Sequence, residues 1–259
     1  MVKLLMFFSL SVILLFTSCT SSRKTVYFYN VKDTTFYSAG SNTEIPIRPN
    51  DILSITISSA NAEASVPFNS PINTVTRYTT VTGSNTEAGG YLVNQDGTIQ
   101  LPILGTVNAA GLSKRALKDK ITNLILTKKL LIDPIVEIRF LNYEVTVLGE
   151  VAHPTVITVP SEKISLLKAI GLAGDLTIYG KRDNVLLIRE ENGKKQTRHI
   201  NLNSANFFNS PYYYLEPNDV VYVEPNKAKV ASANNSTQYI PIILSGLSVA
   251  VIVLDRLLR

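Results

Sequence analysis

The clearest structural signal in the chain is the segment Gly90-Tyr91-Leu92-Val93-Asn94-Gln95-Asp96-Gly97-Thr98-Ile99-Gln100-Leu101-Pro102, which continues as Ile103-Leu104-Gly105-Thr106-Val107. Asp96-Gly97 is a turn dipeptide between two apolar segments, so the first part is predicted to form a β-hairpin. The second part continues as a strand, and Gly111-Leu112-Ser113 opens a helix with Ser113 as its N-cap. One face of that helix is apolar, which indicates an amphipathic helix. Its apolar residues are Leu117, Ile121, Leu124 and Ile125.

Alternating strands are predicted on both sides of this stretch. Upstream, the turn Pro49-Asn50-Asp51 leads into a strand with Ile55 and Ile57 on one face. Downstream, a strand over residues 135–141 closes the module. Residues 58–90 are rich in Ser, Asn, Thr and Ala without clear periodicity, so we predict a long loop or an insertion there.

A second module begins at residue 143 and is again predicted to mix strands with one short helix. The predicted elements are strands over 143–151 and 156–159, a helix over 165–172, a hairpin over 185–200 and a closing strand over 215–223. Two short motifs of the first module return here. Pro49-Asn50-Asp51-Ile52 is echoed by Pro217-Asn218-Asp219-Val220, and Leu104-Gly105-Thr106-Val107 by Leu148-Gly149-Glu150-Val151. Shared turn chemistry is enough to explain both echoes.

Composition excludes several classes of protein. The chain has 259 residues, of which 45% are hydrophobic and 17% charged, and this excludes a disordered chain. Its single cysteine excludes a disulfide-stapled scaffold and a cysteine-rich zinc site. The net charge of 25 − 20 = +5 is mild and scattered, so nucleic-acid binding has little support.

The N-terminus is typical of a targeting segment. Lys3 precedes an apolar run over residues 4–16, so residues 1–18 are predicted to be a signal peptide. Phe16-Thr17-Ser18-Cys19 resembles a bacterial lipobox, which would make Cys19 the site of lipid attachment. A buried or free cysteine is the alternative. Thr20, rather than aspartate, favours the outer membrane, and residues 19–44 are predicted to be a tether with one short strand over 26–29.

The C-terminus carries a second apolar segment, uncharged from Gln238 to Leu254. We predict a linker over 226–237 and a membrane-spanning helix over 238–259, with Tyr239 and Arg256 as interface anchors. Polar residues form one stripe of that helix and are predicted to face a water-filled pore, which requires an oligomer. The stripe consists of Gln238, Ser245, Ser248 and Asp255. A simple anchor, a buried core helix or serines at helix–helix contacts are the alternatives.

No catalytic constellation is present in the sequence. The two histidines, His153 and His199, lack metal-ligand spacing, and no G-x-S-x-G nucleophile motif occurs. We therefore predict no enzymatic activity, no metal and no cofactor, and a periplasmic hydrolase is disfavoured.

The motifs together resemble the outer-membrane polysaccharide export lipoproteins, the family of the capsule exporter Wza. Residues 45–142, with the loop 58–90, resemble the polysaccharide export domain through Arg48-Pro49-Asn50-Asp51-Ile52-Leu53, the run 96–107 and Gly111-Leu112. Residues 143–225 resemble a soluble-ligand-binding β-grasp (SLBB) domain. Its motifs are Val147-Leu148-Gly149-Glu150-Val151 with Pro154, Leu166-Leu167-Lys168-Ala169-Ile170, Ala173-Gly174, Arg189 and Pro217-Asn218-Asp219. Only one β-grasp module fits, and Ala173-Gly174-Asp175 replaces the usual double glycine.

The resemblance implies an α+β fold, an export domain followed by a β-grasp domain and a C-terminal transmembrane helix. It also implies a homo-oligomeric ring in the outer membrane that conducts capsular polysaccharide or exopolysaccharide. The implied partner is an inner-membrane chain-length regulator or tyrosine-kinase-type copolymerase. The alternative is a non-channel envelope lipoprotein that binds glycan through its β-grasp domain as a scaffold or sensor, with a dispensable C-terminal helix.

Overall fold

The computed structural model describes residues 26–29, 31–36, 44–69, 75–79, 85–191, 193–233 and 236–257. The predicted signal peptide and Cys19 lie outside these residues. Two domains follow one another along the chain, and their buried apolar side chains form one continuous cluster.

The first domain is built on a three-stranded antiparallel sheet in the order β4-β1-β7. These strands are β1 (Ile52–Ser58), β4 (Tyr91–Leu92) and β7 (Ile135–Phe140). Helix α2 (Lys114–Thr127) packs on the core through its fully buried Leu117, Ile121 and Ile125. The predicted N-cap is confirmed, because the Ser113 side chain accepts a hydrogen bond from the Ala116 backbone N–H.

The predicted pairing around Asp96-Gly97 is wrong. Strand β4 pairs with β1, whereas β5 (Thr98–Leu101) pairs with β6 (Gly105–Asn108). Asp96-Gly97 does form a turn, in which the Asp96 carboxylate accepts hydrogen bonds from the backbone and hydroxyl of Thr98. That turn leads the chain from β4, which pairs with β1, to β5, which pairs with β6.

The predicted loop over 58–90 is also wrong, because it contains regular structure. Helix α1 (Ala62–Asn69) is followed by an antiparallel hairpin of β2 (Val75–Thr79) and β3 (Asn85–Gly89). Helix α1 is held by one buried aromatic residue, Phe68, and by Asn69, whose side chain bonds both backbone groups of Ile57. These polar contacts replace an apolar face, so hydrophobic periodicity is weak there.

The second domain contains a five-stranded sheet in the order β12-β11-β14-β8-β9. The strands are β8 (Glu144–Gly149), β9 (Thr155–Thr158), β11 (Gly180–Glu191), β12 (Lys194–Ile200) and β14 (Val220–Pro225). The first and last of the five along the chain, β8 and β14, are parallel neighbours inside the sheet, while the other pairs are antiparallel. Helix α3 (Leu166–Leu172) buries Leu166, Ala169 and Ile170. A short pair, β10 (Ile164–Ser165) with β13 (Tyr214–Leu215), and a 3-10 helix (Ala205–Asn209) complete the domain.

The N-terminal segment contacts the second domain. The predicted strand over 26–29 is a turn, and its Phe28 backbone N–H donates to the Leu202 carbonyl at 3.3 Å. The Phe28 and Phe36 rings lie 4.7 and 4.9 Å from the ring of Phe208. This part of the predicted tether is therefore docked on the domain surface.

The C-terminal segment differs from the predicted linker and membrane span. Helix α4 (Lys227–Ala233) occupies most of the predicted linker, and the Asn226 side chain caps it by accepting from the Lys229 backbone N–H. Helix α5 (Ser236–Leu257) follows, so the predicted helix itself is confirmed. As a membrane-spanning helix the prediction is not supported, because no described helix is both long and apolar enough to cross a membrane. Pro241, Ser245 and Ser248 interrupt its apolar run, and a span needs about 20 mainly apolar residues.

Candidate functional site

The same four-residue turn is built once in each domain. In Arg48–Asp51, the Asp51 carboxylate accepts a hydrogen bond from the Arg48 backbone N–H at 2.7 Å. In Glu216–Asp219, the Asp219 carboxylate accepts one from the Glu216 backbone N–H at 2.7 Å. The asparagine before each aspartate has a positive φ, 72° and 66°, which asparagine adopts more easily than most residues. The echo seen in the sequence is therefore a shared backbone geometry.

These two turns meet across the domain junction. The first residue of one turn, Arg48, donates through Nη2 to Oε2 of Glu216, the first residue of the other, at 2.6 Å. Each side chain is about a quarter exposed, 27% for Arg48 and 25% for Glu216. The ion pair therefore joins the strand entries of the two domains.

Arg189 on β11 extends this ion pair into the second domain. Its Nε and Nη2 donate to the two carboxylate oxygens of Asp219 at 2.9 and 2.7 Å, and its Nη1 donates to Glu216 at 2.7 Å. The bidentate geometry matches a planar guanidinium to a carboxylate. Asp219 is fully buried and Arg189 nearly so. The ion pair at the start of β14 is therefore shielded from solvent.

The buried aspartates of the two turns differ in their counter-charge. Burial raises the pKa of the Asp219 carboxyl, and the hydrogen bonds and charge of Arg189 oppose that rise. Burial also raises the pKa of Asp51, opposed by the backbone N–H and the charge of Arg48. Asp51 has no bidentate arginine among its described contacts.

A second contact between the domains lies beside the turns. Glu162, from the loop before β10, accepts a hydrogen bond from the Phe140 backbone N–H at 2.7 Å and pairs with Lys114 at the start of α2. Lys114 also lies over the Phe140 ring, 5.8 Å from its centroid. The second domain thus holds both the last strand and the main helix of the first.

A cavity of about 480 Å³ lies between the two contacts. Lys114 and Phe140 line it from the first domain, and Arg189, Tyr212 and Tyr214 from the second. The volume falls within the range of small-molecule sites. Among the described residues, no group of three His, Cys, Asp or Glu side chains is placed to hold a metal ion.

The residues predicted from the sequence to be functional lie elsewhere. Ser245 and Ser248 are exposed on α5, and each hydroxyl donates to a carbonyl of its own helix, Ile242 and Ser245, at 2.9 and 2.7 Å. Tyr239 and Arg256 are exposed near the two ends of the same helix. The side chains of Gln238 and Asp255 are not among those described, and Cys19 is outside the described residues. The lipid, stripe and anchor roles stay predictions.

The junction residues were only partly visible in the sequence. The two Pro-Asn-Asp turns and Arg189 stood out as motifs, but the pairing of Arg48 with Glu216 joins residues 168 positions apart. Three consecutive tyrosines, Tyr212-Tyr213-Tyr214, could have marked the cavity wall, because clustered half-buried aromatics are typical of binding surfaces.

Comparison with known proteins defines the class of this two-domain chain. Residues 39–141 match the family model of the polysaccharide biosynthesis/export protein, and residues 143–223 match that of the SLBB domain. The chain therefore belongs to the Wza-type polysaccharide export family, with an export domain followed by an SLBB domain.

Two curated relatives support this assignment. The chain is similar to the EPS I polysaccharide export outer membrane protein EpsA of Ralstonia solanacearum, at 28% identity over 141 residues. It is also similar to the protein of the same name from Ralstonia nicotianae, at 29% identity over 146 residues. The matches cover 53% and 55% of this chain but only 37% of each relative. The chain thus aligns with little more than a third of the length of these relatives.

Proposed function

We propose that the chain is a subunit of a homo-oligomeric conduit that exports capsular polysaccharide or exopolysaccharide at the outer membrane. It carries out no catalytic step and is held in place by a lipid on Cys19. The family assignment and the names of the two relatives support polysaccharide export and the outer membrane. An inner-membrane copolymerase of the tyrosine-kinase type would deliver the polymer.

The exposed apolar surface of α5 is the observation that supports an oligomer. Its described apolar side chains are all exposed, from 51% at Val253 to 79% at Leu257. An exposed apolar surface of this size marks an interaction site. We propose that other copies of α5 cover it. In this arrangement the stripe of Gln238, Ser245, Ser248 and Asp255 faces the axis of the assembly.

The test is the mass of the detergent-extracted full-length protein, measured by light scattering with detergent subtracted, beside a variant that ends at Val230. We expect a discrete large oligomer for the full chain and loss of that oligomer on truncation. The truncated protein should stay folded, because the described part of α5 makes no contact that the domain core needs. A monomer-sized mass in several mild detergents would instead favour a lipid-anchored, non-channel glycan-binding protein.

Export itself gives a second measurement. A strain that carries only the chain ending at Val230 should accumulate the protein at the normal level but lack surface polysaccharide. Normal surface polysaccharide in that strain would contradict the conduit.

A further inference from the structure

The cavity at the domain junction has the form of a binding site that both domains complete. The export domain and the SLBB domain both contribute lining residues, among them Lys114, Glu162 and Glu216, which form the inter-domain ion pairs Lys114–Glu162 and Arg48–Glu216. Because the contacts fix the domains to each other, the walls are organised before any ligand enters. Pre-organisation of this kind lowers the entropic cost of binding.

One wall is aromatic. Tyr212 and Tyr214 are half-buried and line the cavity. Each ring makes a cation–π contact. The Lys163 ammonium lies 4.3 Å from the centroid of Tyr214, and the Arg189 guanidinium 5.6 Å from that of Tyr212. A tyrosine ring offers an apolar face beside a polar edge. A ligand with C–H faces and polar rims, such as a pyranose ring, matches that surface.

The charges of the lining favour a neutral ligand. The cations are Lys114, Lys163 and Arg189, and the carboxylates are Glu44, Glu162, Glu191 and Glu216, so three positive groups face four negative ones. Three of the carboxylates already pair with cations, Glu44 with Arg115, Glu162 with Lys114 and Glu216 with Arg189. An anionic or cationic ligand therefore gains no net attraction, whereas hydroxyl groups can donate to the carboxylates and accept from the cations.

We propose that this cavity binds a neutral saccharide unit, and that the unit comes from the exported polymer. The origin of the saccharide in the exported polymer rests on the proposed export function, whereas the binding of a neutral saccharide does not. Binding at the junction places the sugar in contact with residues of both domains.

The test is a titration of the full-length protein in lauryldimethylamine oxide, a detergent without a sugar headgroup, followed by calorimetry and ligand-observed NMR. The probes are cellobiose and lactose as neutral disaccharides and digalacturonate as an acidic one. Two further probes identify the source: mild-acid fragments of the strain's own surface polysaccharide, and chitobiose for cell-wall glycan. Three variants are compared with the wild type: Tyr212→Ala, Tyr212→Phe and Tyr179→Ala. Tyr179 is the matched control, because it is also half-buried beneath a cation, Lys229, but lies outside the cavity lining.

We expect the polymer fragments or a neutral disaccharide to bind, and Tyr212→Ala to weaken binding about tenfold or more. Tyr179→Ala should stay within about twofold of the wild type, Tyr212→Phe, which keeps the ring but loses the hydroxyl, should bind more tightly than Tyr212→Ala, and melting curves verify that each variant is folded. Binding of digalacturonate alone, no binding by any probe, or equal binding by wild type and Tyr212→Ala would overturn the saccharide site. Binding of chitobiose alone would overturn the polymer as its source. Oligomeric mass is measured on the same samples, so a ring without binding contradicts only this inference, and binding by a monomer contradicts only the conduit.

Discussion

At the scale of single residues, the most consequential feature is a set of buried charges at the strand entries. Arg189 satisfies the carboxylate of Asp219 on both oxygens and also reaches Glu216. A buried ion pair adds little net stability over an apolar pair of similar volume, but removal of one partner leaves an uncompensated buried charge. Arg189 therefore supplies the counter-charge that opposes the rise in the Asp219 pKa caused by burial.

Replacement of this arginine tests that role. Arg189→Met should lower the free energy of unfolding by about 3–5 kcal/mol, because Asp219 would stay buried without its counter-charge. The measurement is urea unfolding at pH 7. Arg198→Met is the control, because Arg198 is exposed on β12 and donates to the Tyr212 hydroxyl. Equal shifts in the two midpoints would contradict a special role for the buried pair.

Substitution of Asp51 tests the equivalent turn of the first domain, in which the buried aspartate has no bidentate arginine among its described contacts. Its folded-state pKa is raised by burial, so the folded state binds this proton more tightly than the unfolded state. That contribution is present below the ordinary aspartate pKa of about 4 and is lost as pH rises through the raised pKa. Asp51→Asn keeps an acceptor for the Arg48 N–H, and its stability relative to the wild type should therefore increase from pH 4 to pH 7.

Asp96 serves as the control for that experiment, because its pKa is shifted in the opposite direction to that of Asp51. Hydrogen bonds from the Thr98 hydroxyl and backbone lower the pKa of Asp96, so its contribution is present at neutral pH and is lost as pH falls. Asp96→Asn should therefore be less stable than the wild type at pH 7, and the difference should shrink toward acid pH. The same trend for both variants would show that the two turns do not set these pKa values.

At the scale of elements, the two Leu-Gly motifs share a backbone conformation but not an environment. Gly105 and Gly149 have φ values of 80° and 89°. A Cβ at Gly105 would meet no atom within 4 Å, whereas one at Gly149 would lie 2.1 Å from the Val223 carbonyl oxygen on β14. The parallel contact of β8 with β14 therefore requires a glycine at this position.

This difference predicts two unequal alanine variants. Gly105→Ala should cost about 1 kcal/mol of stability, the strain of a left-handed conformation alone. Gly149→Ala should cost about 3 kcal/mol or more, because the backbone overlap adds to that strain. Thermal or urea unfolding of the pair measures the difference, and similar midpoints would show that β14 can move away at little cost.

Elements governed by local chemistry were predictable, whereas pairings between distant segments were not. Ser113 and the buried face of α2 follow from a capping residue and a three/four-residue spacing within one short segment. The partner of β4 is β1, some 40 residues upstream in the sequence. A turn dipeptide between neighbouring segments does not predict a pairing over that distance. Helix α1 escaped prediction because the Asn69 side chain, rather than an apolar stripe, ties it to β1.

At the scale of the whole molecule, the turn echo predicted two matching strand entries, but their contact depends on how the domains pack. The cavity arises from that packing, with Phe140 contributed by one domain and Tyr212 by the other. Sequence motifs mark the residues within each domain, and the geometry of the junction appears only when both are folded together.

The docked N-terminal segment gives a prediction at this scale. Phe28→Ala removes the ring that packs on Phe208, so residues 26–36 should detach and trypsin should cleave after the exposed Lys32 at least about tenfold faster. Tyr29→Ala is the control, because Tyr29 is a neighbouring aromatic that is 57% exposed. Cleavage is followed by mass spectrometry, and equal rates for the two variants would contradict the docking.

That docking also limits how far the folded body can lie from a membrane. Tyr27 is fixed on the SLBB domain by its hydrogen bond to Asp175 and by its place over the Arg182 guanidinium. The chain takes eight residue-to-residue steps from Cys19 to Tyr27, 27 − 19, and a fully extended chain of that length spans at most about 29 Å. If Cys19 carries a lipid, the surface of the SLBB domain that holds Tyr27 must stay within that height of the bilayer.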